Sequence, residues 1–400
     1  MEDRSFIPNP AIVMAGLTTA RTAAAISSIQ VAGVGAEEIL KTIFKPFGQT
    51  HRSAPTVPFI AGSILYGFIV DNQKNIDEVV IGCESENSFS INCHGNPLIV
   101  ENILALLQKH NVQIIEPNEI MIFLGREKFG DNAIAIEADI AGAEAATLDG
   151  AKIIAEQAKA GLHALANNWL KIGEIEDIKK QAKQVLADSK TAGYFITGAK
   201  IVIAGAPNSG KSTLFNYLCG REKALVSDIA GTTRDWLNAK IKLKKIAAEF
   251  FDTAGLDENL IAQNTIDAQS QALSKELIEN SDLVLFVVDN TAWAKSPPYN
   301  SLRCRLGSER RLNELVVYNK CDLAGDVSNK GLAISAKTGS GVQELIAAIE
   351  HKLGVDDFDI KKTVCFTDRQ KKILEQIVTA DEIKRIQQLI TKLLNDDFRV

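Results

Sequence analysis

Gly205-Ala206-Pro207-Asn208-Ser209-Gly210-Lys211-Ser212 follows directly on the apolar run Lys200-Ile201-Val202-Ile203-Ala204 and leads into Ser212-Thr213-Leu214-Phe215-Asn216-Tyr217-Leu218, a helical pattern. A β-branched run, a glycine-bounded loop and a helix in that order predict a phosphate-binding loop of the G-x-x-x-x-G-K-[ST] kind. Gly205 and Gly210 let the backbone turn its N–H groups onto phosphate oxygens, and the helix start favours negative charge. Asn208, Ser209, Gly210, Lys211, Ser212 and Thr213 are the expected cradle. Lys211 places a point charge beside the β and γ phosphates, and Ser212 offers a hydroxyl to magnesium.

The loop alone is a short pattern, so its context decides. Gly231-Thr232-Thr233-Arg234-Asp235 brings Thr232 and Thr233, the latter as a second magnesium ligand on a loop that orders around a γ-phosphate. Asp252-Thr253-Ala254-Gly255 ends the run Glu249-Phe250-Phe251, with Asp252 facing magnesium through water and the Gly255 N–H facing the γ-phosphate. Asn319-Lys320-Cys321-Asp322 follows the run Leu315-Val316-Val317-Tyr318, and Asp322 can accept from both the N1 and N2 donors of guanine. Adenine offers no such pair, and a buried polar site rejects the analogue lacking its partner by about 10⁴-fold or more. Ser335-Ala336-Lys337, after Leu332-Ala333-Ile334, completes the base pocket. Each motif alone reads equally well as an ordinary turn after a strand. Five in register within one α/β stretch predict a P-loop domain that takes GTP and GDP with magnesium. Lys211 and Thr233 are the expected catalytic groups.

Leu256 follows this Asp-Thr-Ala-Gly motif, where Ras-like switches carry the glutamine that orients the attacking water. Asn208 has two readings: a ligand for a monovalent cation, potassium, that supplies positive charge beside the phosphates, or a turn residue favoured after Pro207.

In Gly205 to Ser212, Asp228 to Asp235 and Asp252 to Leu256 the chain resembles the MnmE family, also called TrmE, of potassium-activated tRNA-modification GTPases. Glu86-Asn87-Ser88-Phe89, Ile91-Asn92-Cys93-His94-Gly95 and Phe366-Thr367-Asp368-Arg369-Gln370 are similar to further parts of that family. The resemblance implies a multidomain α/β chain in three parts. An N-terminal α+β domain, residues 1–118, binds a folate derivative and dimerises. A helical domain is made from 119–197 and 356–400, and a P-loop G domain, 198–355, is inserted between them. It further implies a homodimer, tRNA as substrate and an FAD-dependent partner protein in wobble-uridine modification.

The family also implies a carboxylate that positions water. Counting back from Asp282 gives Asp267, counting forward from Asp252 gives Asn264, and Glu258 is a third candidate. The chain departs from the family in two places. Its last residues, Asn395-Asp396-Asp397-Phe398-Arg399-Val400, hold no Phe-Cys-Ile-Gly-Lys tail, and Ala20-Arg21-Thr22-Ala23-Ala24-Ala25-Ile26 stands where the family has a Gly-Gly-Ile-Gly stretch. These leave a second functional class open: a regulatory GTPase switch or scaffold without the modification chemistry. His94 reads either as part of the folate turn or as a hydrogen-bonded core histidine.

The rest of the sequence is independently consistent with the three parts. Residues 138–193 and 366–395 repeat apolar positions at helical spacing, as in Ile153, Ile154, Ala158 and Leu162 or Ile373, Ile377, Ile386 and Leu389. Residues 1–118 mix short β-branched runs with prolines. No apolar run approaches the roughly 18 residues that a bilayer span requires, and the first residues have no secretory pattern, so a cytoplasmic protein is expected. Six cysteines without metal-like spacing predict reduced thiols. A net charge of −6 argues against indiscriminate nucleic-acid binding. Lys240, Lys242, Lys244 and Lys245 on an expected edge strand, and Arg303, Arg305, Arg310 and Arg311, read first as solvated faces.

Overall fold

The computed structural model describes residues 12–19, 24–47, 59–72, 74–171, 174–221, 237–252, 276–291, 313–323 and 331–395. The chain divides into two compact units, Met1–Ile140 with Thr391–Val400, and Ala141–Ile390.

The first unit is built on β1 (Met14–Leu17), β2 (Ile26–Ala32), α1 (Ala36–Ile43), β3 (Phe44–Pro46), β4 (Ile64–Asp71), β5 (Lys74–Cys83), β6 (Ser88–His94), α2 (Pro97–Lys109), β7 (Gln113–Ile114) and α3 (Pro117–Phe129). Among the described residues these strands form one seven-stranded sheet in the order β3-β4-β5-β6-β2-β1-β7. Neighbours run antiparallel except β1 and β7. Period-two alternation puts Ile29, Val31, Ile81, Phe89, Ile91 and Cys93 into a core with Leu40 and Ile43 of α1 and Ile103 and Leu107 of α2. The opposite side of β1 turns Met14 onto Ile120 and Phe123 of α3 in a second cluster. Pro117 opens α3 where a missing N–H costs nothing, and Glu116 and Glu119 close a capping box.

The second unit begins in helices. α4 (Ala133–Ala143) crosses the unit boundary, and α5 (Leu148–Gln157), α6 (Leu162–Trp169) and the long α7 (Ile175–Ile196) follow. Then come β8 (Ala199–Gly205), α8 (Lys211–Arg221), β9 (Leu237–Lys242), β10 (Ala247–Asp252), β11 (Leu283–Asp289), β12 (Glu314–Asn319), β13 (Leu332–Ala333), α9 (Val342–Lys352), α10 (Asp368–Thr379) and α11 (Ile383–Leu394), whose last turn belongs to the first unit. The helical segments expected on either side of the α/β stretch are present.

Gln157 stitches the two helical segments together. Fully buried, it donates from Nε2 to the carbonyls of Ile153 (3.0 Å) and Lys362 (3.1 Å). Its Oε1 accepts from the N–H groups of Leu162 (3.1 Å) and Val364 (3.0 Å). Ser189 Oγ of α7 accepts from the Cys365 N–H at 2.8 Å, and Thr367 caps α10. A buried amide with all its polar atoms engaged is worth more as a specifier of geometry than a packed apolar group, because each unmade bond costs about 1–3 kcal/mol.

Between these helical segments lies a sheet of order β13-β12-β11-β8-β10-β9, parallel except for β9. β8 and β11 are buried almost throughout, as central parallel strands must be. β9 is one of the two edges of this order, and Lys240, Lys242 and Lys244 are exposed on it and just beyond, as the sequence predicts. The fourth lysine of that row behaves differently. The Lys245 N–H donates to Oε1 of the buried Glu350 at 2.6 Å, and its ammonium donates to the Asp356 carbonyl at 2.6 Å.

Candidate nucleotide site

β8 pairs with β11 on one side and β10 on the other, so connections leave its C-terminal end in opposite directions and open a crevice there. The predicted phosphate loop occupies that crevice. Gly205 sits at φ 155 and Gly210 at φ 94, and a Cβ on either would come within 2.2 Å of the Val287 carbonyl oxygen or 2.1 Å of Asn319 Nδ2. Both glycines are therefore required by close approach as well as by backbone conformation. Asn208 is exposed and left-handed at φ 61. Among the described residues its side-chain amide makes no hydrogen bond.

Lys211 opens α8 and is 4 % exposed; its ammonium donates to the carbonyls of Gly205 (3.0 Å) and Ala206 (3.2 Å). Ser209 Oγ is buried without a hydrogen-bond partner among the described residues, the kind of orphan that a ligand oxygen satisfies. Ser212 is half-buried in the first turn of α8, and Thr213 is exposed. Asp252, 1 % exposed, ends β10 beside Ile203 of β8. A glycine cradle, a buried ammonium, a hydroxyl and a buried carboxylate at one crevice fit a magnesium-bound nucleoside phosphate. Among the described residues no group of three or more His, Cys, Asp or Glu could hold a metal, and such a site needs none, since magnesium uses phosphate, hydroxyl and water oxygens.

The base-side residues meet the same loop. Asn319 donates from Nδ2 to the Ser209 carbonyl and accepts at Oδ1 from the Ala336 N–H, each at 2.9 Å. Ser335 is fully buried, and its Oγ accepts from the Thr338 N–H at 3.2 Å. Asp322 and Lys337 are exposed, free to face a planar base. Lys320, left-handed at φ 66, donates to the Asn208 carbonyl at 2.7 Å and to Asp289 Oδ2 at 2.6 Å.

Asp289 and Thr291 are the residues that sequence reading passed over. Burial pushes the Asp289 carboxyl up, but hydrogen bonds from Lys320 and from the Thr291 hydroxyl and N–H outweigh it and hold the carboxyl below its ordinary range. Its position at the end of an apolar strand, beside the strand that leads to Asn319, was the available signal. Thr232, Thr233, Gly255 and Asp267, with the alternatives Glu258 and Asn264, lie outside the described residues.

Of the two readings of His94, the structure overturns the core placement: its ring is exposed, although it is hydrogen-bonded, with Nδ1 2.9 Å from Asp77 Oδ1. The described cysteines, Cys83, Cys93, Cys219, Cys321 and Cys365, are free thiols. Among the described residues no helix is long and apolar enough to cross a membrane.

Sheet order, loop and base motif together define a P-loop GTPase, an enzyme that hydrolyses GTP. A family profile described as 50S ribosome-binding GTPase matches residues 200–320, and one described as GTP-binding protein TrmE N-terminus matches residues 13–120. The tRNA modification GTPase MnmE of Prochlorococcus marinus is 27% identical over 405 residues, covering 90% of this chain and 85% of that protein. That of Thermoanaerobacter sp. is 29% identical over 384 residues, covering 86% and 80%. Among solved structures, the G domain of the T. maritima FeoB iron transporter is 22% identical, covers 39% of this chain and 96% of its own, and has a TM-score of 0.29. Along most of its length the chain is thus similar to the MnmE (TrmE) family, in its N-terminal region as well as in its GTPase domain.

Proposed function

We propose that this chain hydrolyses GTP in the service of tRNA wobble-uridine modification, as a potassium-stimulated homodimer acting with an FAD-dependent partner protein in the cytoplasm. The carrying observation is that one chain joins the TrmE N-terminal region to the GTPase domain, with relatives named tRNA modification GTPase matching along most of both lengths. In this reading, residues 1–118 form a folate-derivative-binding and dimerising domain, 119–197 and 356–400 a helical domain, and 198–355 the G domain.

The chain's own residues divide the work. Backbone N–H groups of Asn208 to Thr213 bind the phosphates, and Lys211 leaves the Gly205 and Ala206 carbonyls to meet the β and γ oxygens. Ser212 and Thr233, with Asp252 through water, would hold magnesium, which neutralises charge on the phosphates. Thr232, Thr233 and the Gly255 N–H order around the γ-phosphate. Asp322 pairs the guanine N1 and N2 donors, while Asn319, Lys320, Ser335, Ala336 and Lys337 wall the base. Asn208 would hold potassium through its side-chain oxygen, and the ion would supply positive charge beside the phosphates. Asp267 orients the attacking water.

Transfer RNA from cells lacking the protein is the decisive sample: loss of the wobble modification supports the proposal, whereas intact modification would leave a GTPase switch or scaffold. For the site itself, titration with GDP and ADP in magnesium is expected to show guanine preference, and Asp322→Asn to reduce it by about 10²-fold or more through the unpaired base donors. Equal turnover in sodium and potassium would remove Asn208 from cation binding.

A further inference from the structure

Asp289 closes β11 on the far side of the crevice from Asp252. Its Oδ1 accepts from the Thr291 N–H (2.8 Å) and hydroxyl (2.7 Å), which leaves Oδ2 aimed at the Lys320 ammonium, 2.6 Å away. Lys320 divides its three donors: one goes to Asp289 and one to the Asn208 carbonyl in the phosphate loop, across 112 residues of chain. The lysine reaches both from a left-handed backbone, φ 66, a conformation costing about 1 kcal/mol or more for a residue with a Cβ. A turn held in that conformation needs surrounding contacts that fix it, and this ion pair is one of them.

As an element of stability the pair is weak. The side chains are 30% and 21% exposed, and ion pairs of that exposure contribute about 0–1 kcal/mol. Its effect therefore reads out in where Lys320 points, rather than in whether the domain folds. Without the carboxylate, the ammonium keeps only the loop carbonyl and is free to leave the wall of the base pocket. That remaining carbonyl, a single anchor, belongs to Asn208.

We propose that Asp289 is a positioning residue for nucleotide binding: it holds Lys320, and through Lys320 the Asn208 segment of the phosphate loop, in the geometry that accepts the base and the phosphates together. The inference rests on the guanine-nucleotide reading of the site.

A double-mutant cycle on the full chain tests it, with GDP titrated in magnesium against wild type, Asp289→Asn, Lys320→Met and the double variant. Asp289→Asn keeps the shape and loses the charge-assisted bond, so affinity is expected to fall about tenfold with the melting temperature nearly unchanged. The double variant is expected to bind no more weakly than Lys320→Met alone, because residues that act as one unit do not add. Additive losses, or wild-type affinity in Asp289→Asn, would overturn the proposal. Thr291→Val, which removes one of the donors that aim the carboxylate, gives a second route should Asp289→Asn unfold. An intermediate loss of affinity supports positioning, and unchanged affinity counts against it. A wild-type chain without preference for GDP over ADP would instead overturn the site reading.

Discussion

Asn319 hydrogen-bonds the Ser209 carbonyl across 110 residues of chain, and the same carboxamide accepts from the Ala336 N–H. One buried side chain thus ties the phosphate loop to the third loop of the crevice, so the phosphate and base halves of the site are a single mechanical unit. Replacing it by alanine strands a buried carbonyl and a buried N–H. We expect Asn319→Ala to cost about 2–4 kcal/mol of stability and to weaken GDP binding in parallel; a urea midpoint like that of wild type would contradict this.

The two loop glycines are expected to differ in their tolerance. At Gly205 a Cβ meets the Val287 backbone carbonyl, which cannot yield without moving β11, whereas at Gly210 it meets the end of the Asn319 side chain. Gly205→Ala should therefore lower the melting temperature more than Gly210→Ala, while Gly210→Ala should chiefly cost nucleotide affinity by displacing the Asn319 carboxamide. Thermal unfolding and GDP titration of the two variants separate the effects.

Cys93 links stability to alkaline pH. Burial, with the Asp77 charge adding to it and its backbone hydrogen bond opposing, pushes its thiol up to about 11 from an ordinary value of 9.0. The folded value lies above the unfolded one, so the fold favours the neutral thiol. That contribution is complete below about pH 9 and is lost as pH rises through about 11. Urea midpoints measured from pH 8 upward should fall through this window in wild type and fall less steeply in Cys93→Ala. The same shift predicts slow alkylation of Cys93 in the native protein at neutral pH.

Glu350 fastens the β9–β10 hairpin to α9 through the Lys245 N–H. Glu350→Gln keeps an acceptor and should stay close to wild type, while Glu350→Ala strands that N–H and should cost about 1–3 kcal/mol. Equal midpoints for the two variants would show that the hydrogen bond does not carry the attachment.

The local parts of the site were legible in the sequence because each is specified locally. A β-branched run before Gly205, a helical pattern after Ser212 and an acid at the end of Glu249-Phe250-Phe251 fix strand, loop and helix without reference to anything distant. The alternation of Lys240, Lys242 and Lys244 likewise marked an edge, since a strand with one solvated side has no other economical arrangement. The exposure of His94 was not legible, because sequence gives its neighbours along the chain and not Asp77 on the adjacent strand.

Sequence by itself thus determined the ligand class and the order of the elements, since backbone conformation and apolar period are properties of short segments. Tertiary structure alone decided that Asn319 grips Ser209, that Asp289 aims Lys320, and that Gln157 meets Lys362 and Val364 more than two hundred residues away. Those are pairings of single polar groups, which carry no periodicity along the chain. They become favourable only once the sheet order has removed the alternative partner, water.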